Sequence, residues 1–478
     1  MVVAAFIFFF VLFLAIGLAA TVKSRGNRRD YYVASREVSP WVAGLSAVAT
    51  NNSGYMFIGV IGYTYAVGLA AVWLMVGWIA GDFIASLFIH KKLRRTAGRV
   101  DAVTFGGILS RWNGTDFRVY RRIAAVITIV FLGAYAAAQL SAGGKALHVM
   151  FGWPREMGAL LVAGVVVAYC FAGGIRASIW TDVAQSFVMM AAMTLLFWAG
   201  VQGLGGPAET WRMLGEIPGY LDWFPDDLAF PGAGGMALFA VGWMFAGFSV
   251  VGAPHVMVRF MALDKADGMA RARVWYYGFY VLFYALATGV GLLSRLYLPE
   301  LGGIDAELAL PTMAQTLLPP VLVGLVLAGI FAATMSTADS LVLSCSAAAT
   351  NDLPSRRTDN PWIIKLATLA TAALALAIAL SGTQSVFSLV ILAWSVLASA
   401  FAPLLVVYAL GGRPGEGLAI AMMVIGVGAA LLWRNLGLHE TIYEGMPGIL
   451  AGLATFGLVR LLAPAPVADK ERIPEKAS

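Results

Sequence analysis

Cysteine is nearly missing from this chain: Cys170 and Cys345 are the only two in 478 residues, far apart and each inside an apolar run. That excludes a disulfide framework and any thiolate metal spacing. Histidine is also scarce. His90, His148, His255 and His439 stand singly, without an HExxH or comparable cluster, which argues against a metalloenzyme. Charge is the third shortage, at 12% of residues against about 25% in soluble domains. The sequence holds no Walker loop, no strand-linked GxGxxG and no nucleophile elbow, so it carries no motif for ATP hydrolysis. A selectivity-filter motif or ring-forming charge pattern that would mark a channel is lacking, as is a nucleophile–base pair that would mark a membrane enzyme.

What is plentiful is hydrocarbon, at 60% hydrophobic residues. Runs of about 20 apolar residues each license a helix that crosses a bilayer. Thirteen are expected, near 2–22, 40–65, 69–90, 122–149, 157–174, 178–202, 234–260, 274–297, 314–349, 361–381, 385–409, 416–433 and 446–463. The first lacks a basic flank and a small-residue cleavage site, so it reads as a retained helix rather than a signal peptide. The net charge of +6 does not point to nucleic acid, because the basic residues crowd into alternate loops. Lys23 to Arg36, Lys91 to Arg122, Lys265 to Arg273, and Arg356 with Arg357 follow the first, third, seventh and ninth runs. The opposite loops carry Glu209, Glu216, Asp222, Asp226 and Asp227, then Glu300, Asp305 and Glu307. Positive charge stays inside, so the amino end is placed outside and the carboxyl end inside. The expected class is an all-α polytopic protein of a bacterial inner (plasma) membrane. The connecting segments are too short for a separate domain, and the Pro- and charge-rich tail 464–478 reads as disordered.

The informative positions are polar residues inside apolar runs. In Ala333-Thr334-Met335-Ser336-Thr337-Ala338-Asp339-Ser340, helical spacing puts Ala333, Ser336, Thr337 and Ser340 on one face with Asp339 on its shoulder. A charge at mid-bilayer costs at least roughly 2.5–3.5 kcal/mol, so Asp339 needs a partner, water or an ion. A single hydroxyl is accounted for by bonding back one turn; the set with Asp339 points to an ion site. The second run carries Ala49-Thr50-Asn51-Asn52-Ser53-Gly54 near its middle, poor helix formers that predict unwound backbone. Such backbone is tolerated at depth only where it lines a cavity or is buried in protein. The seventh run repeats the theme with Gly247, Gly252, Ala253-Pro254 and His255. Two interrupted helices in corresponding positions of two halves mark a secondary-transporter site, against the plainer reading of two packing kinks. Asp182 opens the sixth run, where a helix dipole alone accounts for it; its functional reading is a carboxylate on the inner ion exit. Tyr55, Tyr135, Trp243, Phe245 and Phe248 lie near the interruptions, and Lys145 reads as a residue that snorkels outward.

These residues carry a resemblance. Asp30-Tyr31-Tyr32-Val33, Ser46-Ala47-Val48-Ala49, Gly143-Gly144-Lys145, Gly173-Gly174-Ile175-Arg176 with Trp180-Thr181-Asp182, Pro254-His255 with Arg259-Phe260-Met261-Ala262, and Met335 to Ser340 resemble the sodium:solute symporter family over nearly the whole chain. The sodium/proline symporters are the nearest branch. The resemblance implies a LeuT-type core of two inverted five-helix repeats, with one extra helix before it and two after. The segments are then 1–37 (extra helix and basic loop), 38–202 (first repeat), 203–233 (outer loop), 234–433 (second repeat) and 434–463 (final helix). It also implies a main Na+ site from the carbonyls of Ala49, Asn52 and Ala333 with the hydroxyls of Ser336 and Thr337. A second Na+ position would use Asp182 with Ser336, Asp339 and Ser340. The substrate set comprises Asn51, Ser53, Gly54, Tyr55, Tyr135, Trp243 and Phe248. Asn51 stands where the proline symporters carry an aspartate, leaving Asp339 as the carboxylate that compensates. Ala246 and Val250 replace the aromatic pair of a proline pocket.

The expected function is Na+-coupled symport of a small organic solute, proline or a related amino acid. One cation crossing about −100 mV gains about 2.3 kcal/mol, and a tenfold gradient adds about 1.4 kcal/mol. The alternatives are proton coupling through Asp182 and Asp339, and a non-transporting sensor domain. The sensor is disfavoured because the sequence runs only about 15 residues past its last apolar run.

Overall fold

A computed structural model describes residues 1–462 apart from 24, 300–304, 355–357 and 382–384. Glu300, Arg356, Arg357 and the 464–478 tail lie outside the described residues. Regular structure among the described residues is helical, apart from one isolated bridge between Val38 and Leu263. Eleven helices there are long and apolar enough to cross a membrane. The other two expected crossings are present in altered form. The Pro40–Asn51 helix is short by itself, and the chain continues through a π-helical turn, Tyr55–Val60, into Ile61–Val67. The expected 157–174 crossing is the first leg of Arg155–Gly203, which bends at Gly174 with φ +57° and ψ −147°. Only glycine adopts that backbone readily. A Cβ there would also meet the Tyr31 carbonyl oxygen at 2.6 Å.

The broken Pro40–Val67 path runs from one end of the bundle to the other. Its start lies beside the Leu263–Gly268 loop, where the Val38 amide donates to the Ala262 carbonyl (3.2 Å). Its far end lies beside the Ala306 and Glu307 backbone. The seventh run is broken as the sequence predicts. The Gly232–Phe248 helix passes through a 3-10 turn, Ser249–Gly252, to an extended Ala253, and Pro254 opens a new helix to Met261. Proline suits that first position because its missing N–H would have no helical partner there.

Around these two breaks the other helices form a packed bundle. The Pro320–Asn351 helix runs through its centre, buried along nearly its whole length, between Arg118–Phe151, Arg155–Gly203 and Val2–Ala20. Two further helices touch backbone to backbone. A Cβ at Gly247 would lie 1.9 Å from the Trp78 carbonyl, and one at Gly81 would lie 1.8 Å from the Met244 carbonyl. The outward faces carry Phe8, Phe88, Val130, Trp198, Leu282, Leu366 and Leu432, all exposed. This is the surface a lipid-facing bundle must present, with its backbone polar groups satisfied inside helices. The protein is a multi-pass membrane protein.

The ends of the bundle are charged and tied. At the basic end Arg36 pairs with Asp101 (2.9 Å) and Lys91 with Asp267 (2.7 Å). At the other end Lys145 does not snorkel outward. It is buried between Asp305 (2.6 Å) and Glu307 (2.5 Å). Glu307 in turn accepts from the Phe387 amide (2.8 Å) at the start of the Val386–Ala409 helix.

Candidate functional site

The break after Asn51 frees the carbonyls that the next helical turn would have used. The central helix supplies the groups that meet them. Ser336 Oγ donates to the Ala49 carbonyl and to the Ala333 carbonyl, at 3.1 Å each. Thr337 Oγ1 donates to the Thr50 carbonyl at 2.9 Å. Two spans nearly 290 residues apart in sequence therefore converge at mid-bundle, all of it buried. Ala49, Ala333, Ser336 and Thr337 are brought together. Asn52 sits at the break itself, with φ −84° and ψ 57°. Its side-chain Nδ2 and Oδ1 are buried and have no hydrogen-bond partner. Thr50, which sequence reasoning passed over, supplies the carbonyl that Thr337 uses.

One layer toward the basic end lies a fully buried charge cluster. Asp182 Oδ2 accepts from Ser46 (2.6 Å) and from Arg259 Nη2 (3.3 Å). Asp339 Oδ1 accepts from Ser178 (2.8 Å) and Ser340 (2.7 Å) and lies 3.7 Å from Arg259 Nη2. Arg259 also donates to Ser178 (2.7 Å) and Ser340. The guanidinium thus stands among the oxygens expected to surround a second sodium. Asp182 is not a first-turn residue. The Gly174 bend lies two turns before it and carries it into the core, where Arg259 rather than a helix dipole balances it. Arg259 lay within the quoted family block, but nothing in its local sequence showed where it points. A cavity beside this cluster is bounded by Thr104, Thr128, Pro254, Arg259, Ser340 and Asp352.

On the other side of the break stand aromatic rings. Tyr135 donates to Ser53 Oγ (3.0 Å), and the Gly54 amide donates to Gln139 Oε1 (2.8 Å). A Cβ at Gly54 would meet Thr334 at 2.5 Å, so the close approach requires glycine. Tyr55 lies against Phe387 (5.4 Å between ring centres) and Trp78 (5.8 Å). Trp394 touches Trp78, His255 and Tyr135 at 5.4, 5.7 and 6.3 Å. Tyr55 Oη, Trp78 Nε1, Trp394 Nε1, Gln139 Nε2 and both His255 nitrogens are buried without a partner. Such a concentration of unpaired polar atoms in an apolar setting is what a small-molecule site presents. Trp243 reaches its edge through Tyr63 (5.9 Å). Phe248 lines an apolar groove with Ile84, Phe245, Ile449 and Leu453, and its ring lies against Phe245 (6.3 Å). Trp78, His255 and Trp394 stand among these rings, and no local pattern distinguished them from core aromatics.

A membrane-spanning bundle with two helices broken at mid-depth, hydroxyls docked on one break and aromatic rings around it, defines a secondary transporter. The sodium:solute symporter family model matches residues 31–426, and the chain belongs to that family. The high-affinity proline transporter PutP of Bacillus subtilis is 29% identical over 455 residues, covering 93% of this chain and 94% of that protein. The sodium/proline symporter of Salmonella typhimurium is 29% identical over 461 residues, covering 93% and 90%. Among solved structures, a Na+-coupled sialic acid symporter in a substrate-bound outward-open state superposes with a TM-score of 0.80 at 19% identity, covering 97% and 98%. Mhp1, a nucleobase-cation-symport-1 family transporter, superposes at 0.56 with 14% identity, covering 91% and 95%. The fold is the LeuT-type inverted-repeat fold, and the protein is a transporter, not an enzyme.

Proposed function

We propose that this protein is a sodium-coupled symporter that imports a small organic solute by alternating access, with an amino acid such as proline as the first solute class to test. The observation that carries the reading is the docking of Ser336 and Thr337 on the Ala49 and Thr50 carbonyls. A hard cation takes several oxygen ligands, and this contact offers hydroxyls and helix-end carbonyls without a full buried charge. Asn52 and Ala333 complete the set we assign to the main sodium site. Sodium there pins the broken helix to the central one and so favours one arrangement of the two repeats. Ser53, Gly54, Tyr55 and Tyr135 then face the solute, with Trp78 and Trp394 as walls and Trp243 at the rim.

Asp182 and Asp339 share the single guanidinium of Arg259, so a second sodium there would have to stand against a positive charge already in place. One sodium per cycle is the reading this geometry favours. The membrane potential and a tenfold gradient together then accumulate solute roughly 500-fold. The test is uptake into proteoliposomes from a panel of labelled amino acids, short carboxylates and sugars. The expected result is one class taken up only with inward sodium and enhanced by an inside-negative potential. Uptake driven by a pH gradient at zero sodium would replace sodium with the proton.

A further inference from the structure

Asn51 sits between the two residues assigned to the cation site, Ala49 and Asn52, but its side chain points the other way. Its Nδ2 donates to the Tyr276 hydroxyl at 2.7 Å. That hydroxyl donates onward to Asp82 Oδ2 at 2.8 Å. Asp82 comes from the Val72–Arg99 helix and Tyr276 from the Met269–Tyr297 helix, so three elements are strung on two hydrogen bonds. All three side chains are buried, Asp82 completely.

Asp82 differs from the other acidic residues of the buried core. Asp182 and Asp339 share Arg259, and Glu307 holds Lys145. Asp82 forms no ion pair among the described residues, and its Oδ1 has no hydrogen-bond partner. A carboxylate within a membrane bundle is expensive unless a positive charge compensates it. The side chains around Asp82 supply none, so an ionised Asp82 calls for a cation from outside the bundle. Asp339, expected from sequence to compensate for the neutral Asn51, is already engaged by Arg259, Ser178 and Ser340.

We infer that Asp82 is a positioning residue for the coupling cation, supplying through Tyr276 and Asn51 the fixed negative charge that the broken helix itself lacks. The inference rests on the sodium reading above. The chain of bonds has a direction. Asp82 accepts only, so Tyr276 must donate to it, and the phenol oxygen is left to accept from the Asn51 amide. This holds the Asn51 Oδ1, which has no partner, turned away from Tyr276. Asp82 thus sets both the local potential at the break and the orientation of the side chain between two proposed ligands.

The test is binding of radioactive sodium to the purified full-length protein, which needs no knowledge of the solute. Wild type is expected to saturate with sodium. Asp82→Asn keeps size and shape and should weaken sodium by about tenfold or more, and Tyr276→Phe, which removes only the relaying hydroxyl, should weaken it in the same direction. Moving the charge back along the chain, Asn51→Asp in the Asp82→Asn background, should restore affinity to within roughly threefold of wild type; a merely structural Asp82 would not be rescued this way. If wild type binds sodium saturably and Asp82→Asn, or Tyr276→Phe should the first fail to fold, binds it equally well, this assignment is overturned and the sodium reading stands. Failure of the double variant to regain affinity also overturns it. If wild type shows no saturable sodium binding at all, the sodium reading falls and this inference falls with it.

Discussion

Ser336 and Thr337 are adjacent in sequence yet act on two different carbonyls, because consecutive residues of a helix point 100° apart and the broken partner presents a new carbonyl with each residue. Each hydroxyl keeps lone pairs free while its proton is committed to Ala49 or Thr50. Ser336→Ala or Thr337→Ala should therefore raise the sodium needed for half-maximal uptake by roughly tenfold, since a bond to a charged group is worth about 1.5–3 kcal/mol. Expression should be spared; unchanged sodium dependence in both would remove these residues from the site. Arg259 predicts a different phenotype. Arg259→Gln leaves Asp182 and Asp339 buried without their counter-charge, a loss of about 3–5 kcal/mol. The melting temperature in detergent should fall sharply, and Asp182→Asn with Asp339→Asn in the same chain should recover much of it.

At the scale of elements, the broken helices depend on what packs beside them. The helix at Gly232–Phe248 lies so close to Val72–Arg99 that Gly247 and Gly81 have no room for a methyl group. Gly81→Ala should cost about 1–3 kcal/mol through overpacking, read as lower thermal stability; an unchanged melting temperature would mean the helices part easily there. Both breaks were legible in sequence, because Asn51-Asn52-Ser53-Gly54 and Ala253-Pro254 are poor helix formers wherever they occur. The boundary at Gly173-Gly174 was legible too, between the expected 157–174 and 178–202 crossings, but its geometry was not: the pair reads as a short loop, whereas the chain turns at the single residue Gly174 from one helix directly into the next. The aromatic wall was legible only in part. Tyr55 adjoins the break in sequence and Tyr135 precedes Gln139 on its helix, while Trp78 and Trp394 arrive from helices that nothing in the sequence links to the break.

At the scale of the molecule, the two ends of the bundle are held differently. The basic end is tied by backbone pairing at Val38 and Leu263 and by surface ion pairs. The acidic end is tied by Glu307, which joins Lys145 on one helix to the first amides of Val386–Ala409. Phe387 at that helix start stacks on Tyr63 (4.9 Å) and lies against Tyr55, so the tie reaches the rings beside the break. Glu307→Ala should remove about 3 kcal/mol of stability, the lower part of the range for a broken buried pair because Asp305 still faces Lys145. A detergent melting temperature equal to wild type would show the outer tie to be dispensable.

Local chemistry determined that this chain crosses a membrane many times, which ends carry positive charge, and where two helices must break. Those features follow from hydrocarbon length, charge placement and helix propensity, each readable over a few residues. Only the tertiary structure decided which buried charges share a counter-ion: Arg259 goes to Asp182 and Asp339, Lys145 goes to Glu307, and Asp82 is left with a phenol. Side chains 77, 80 and 162 residues from their partners meet through packing of whole helices, and no local pattern encodes a separation of that length.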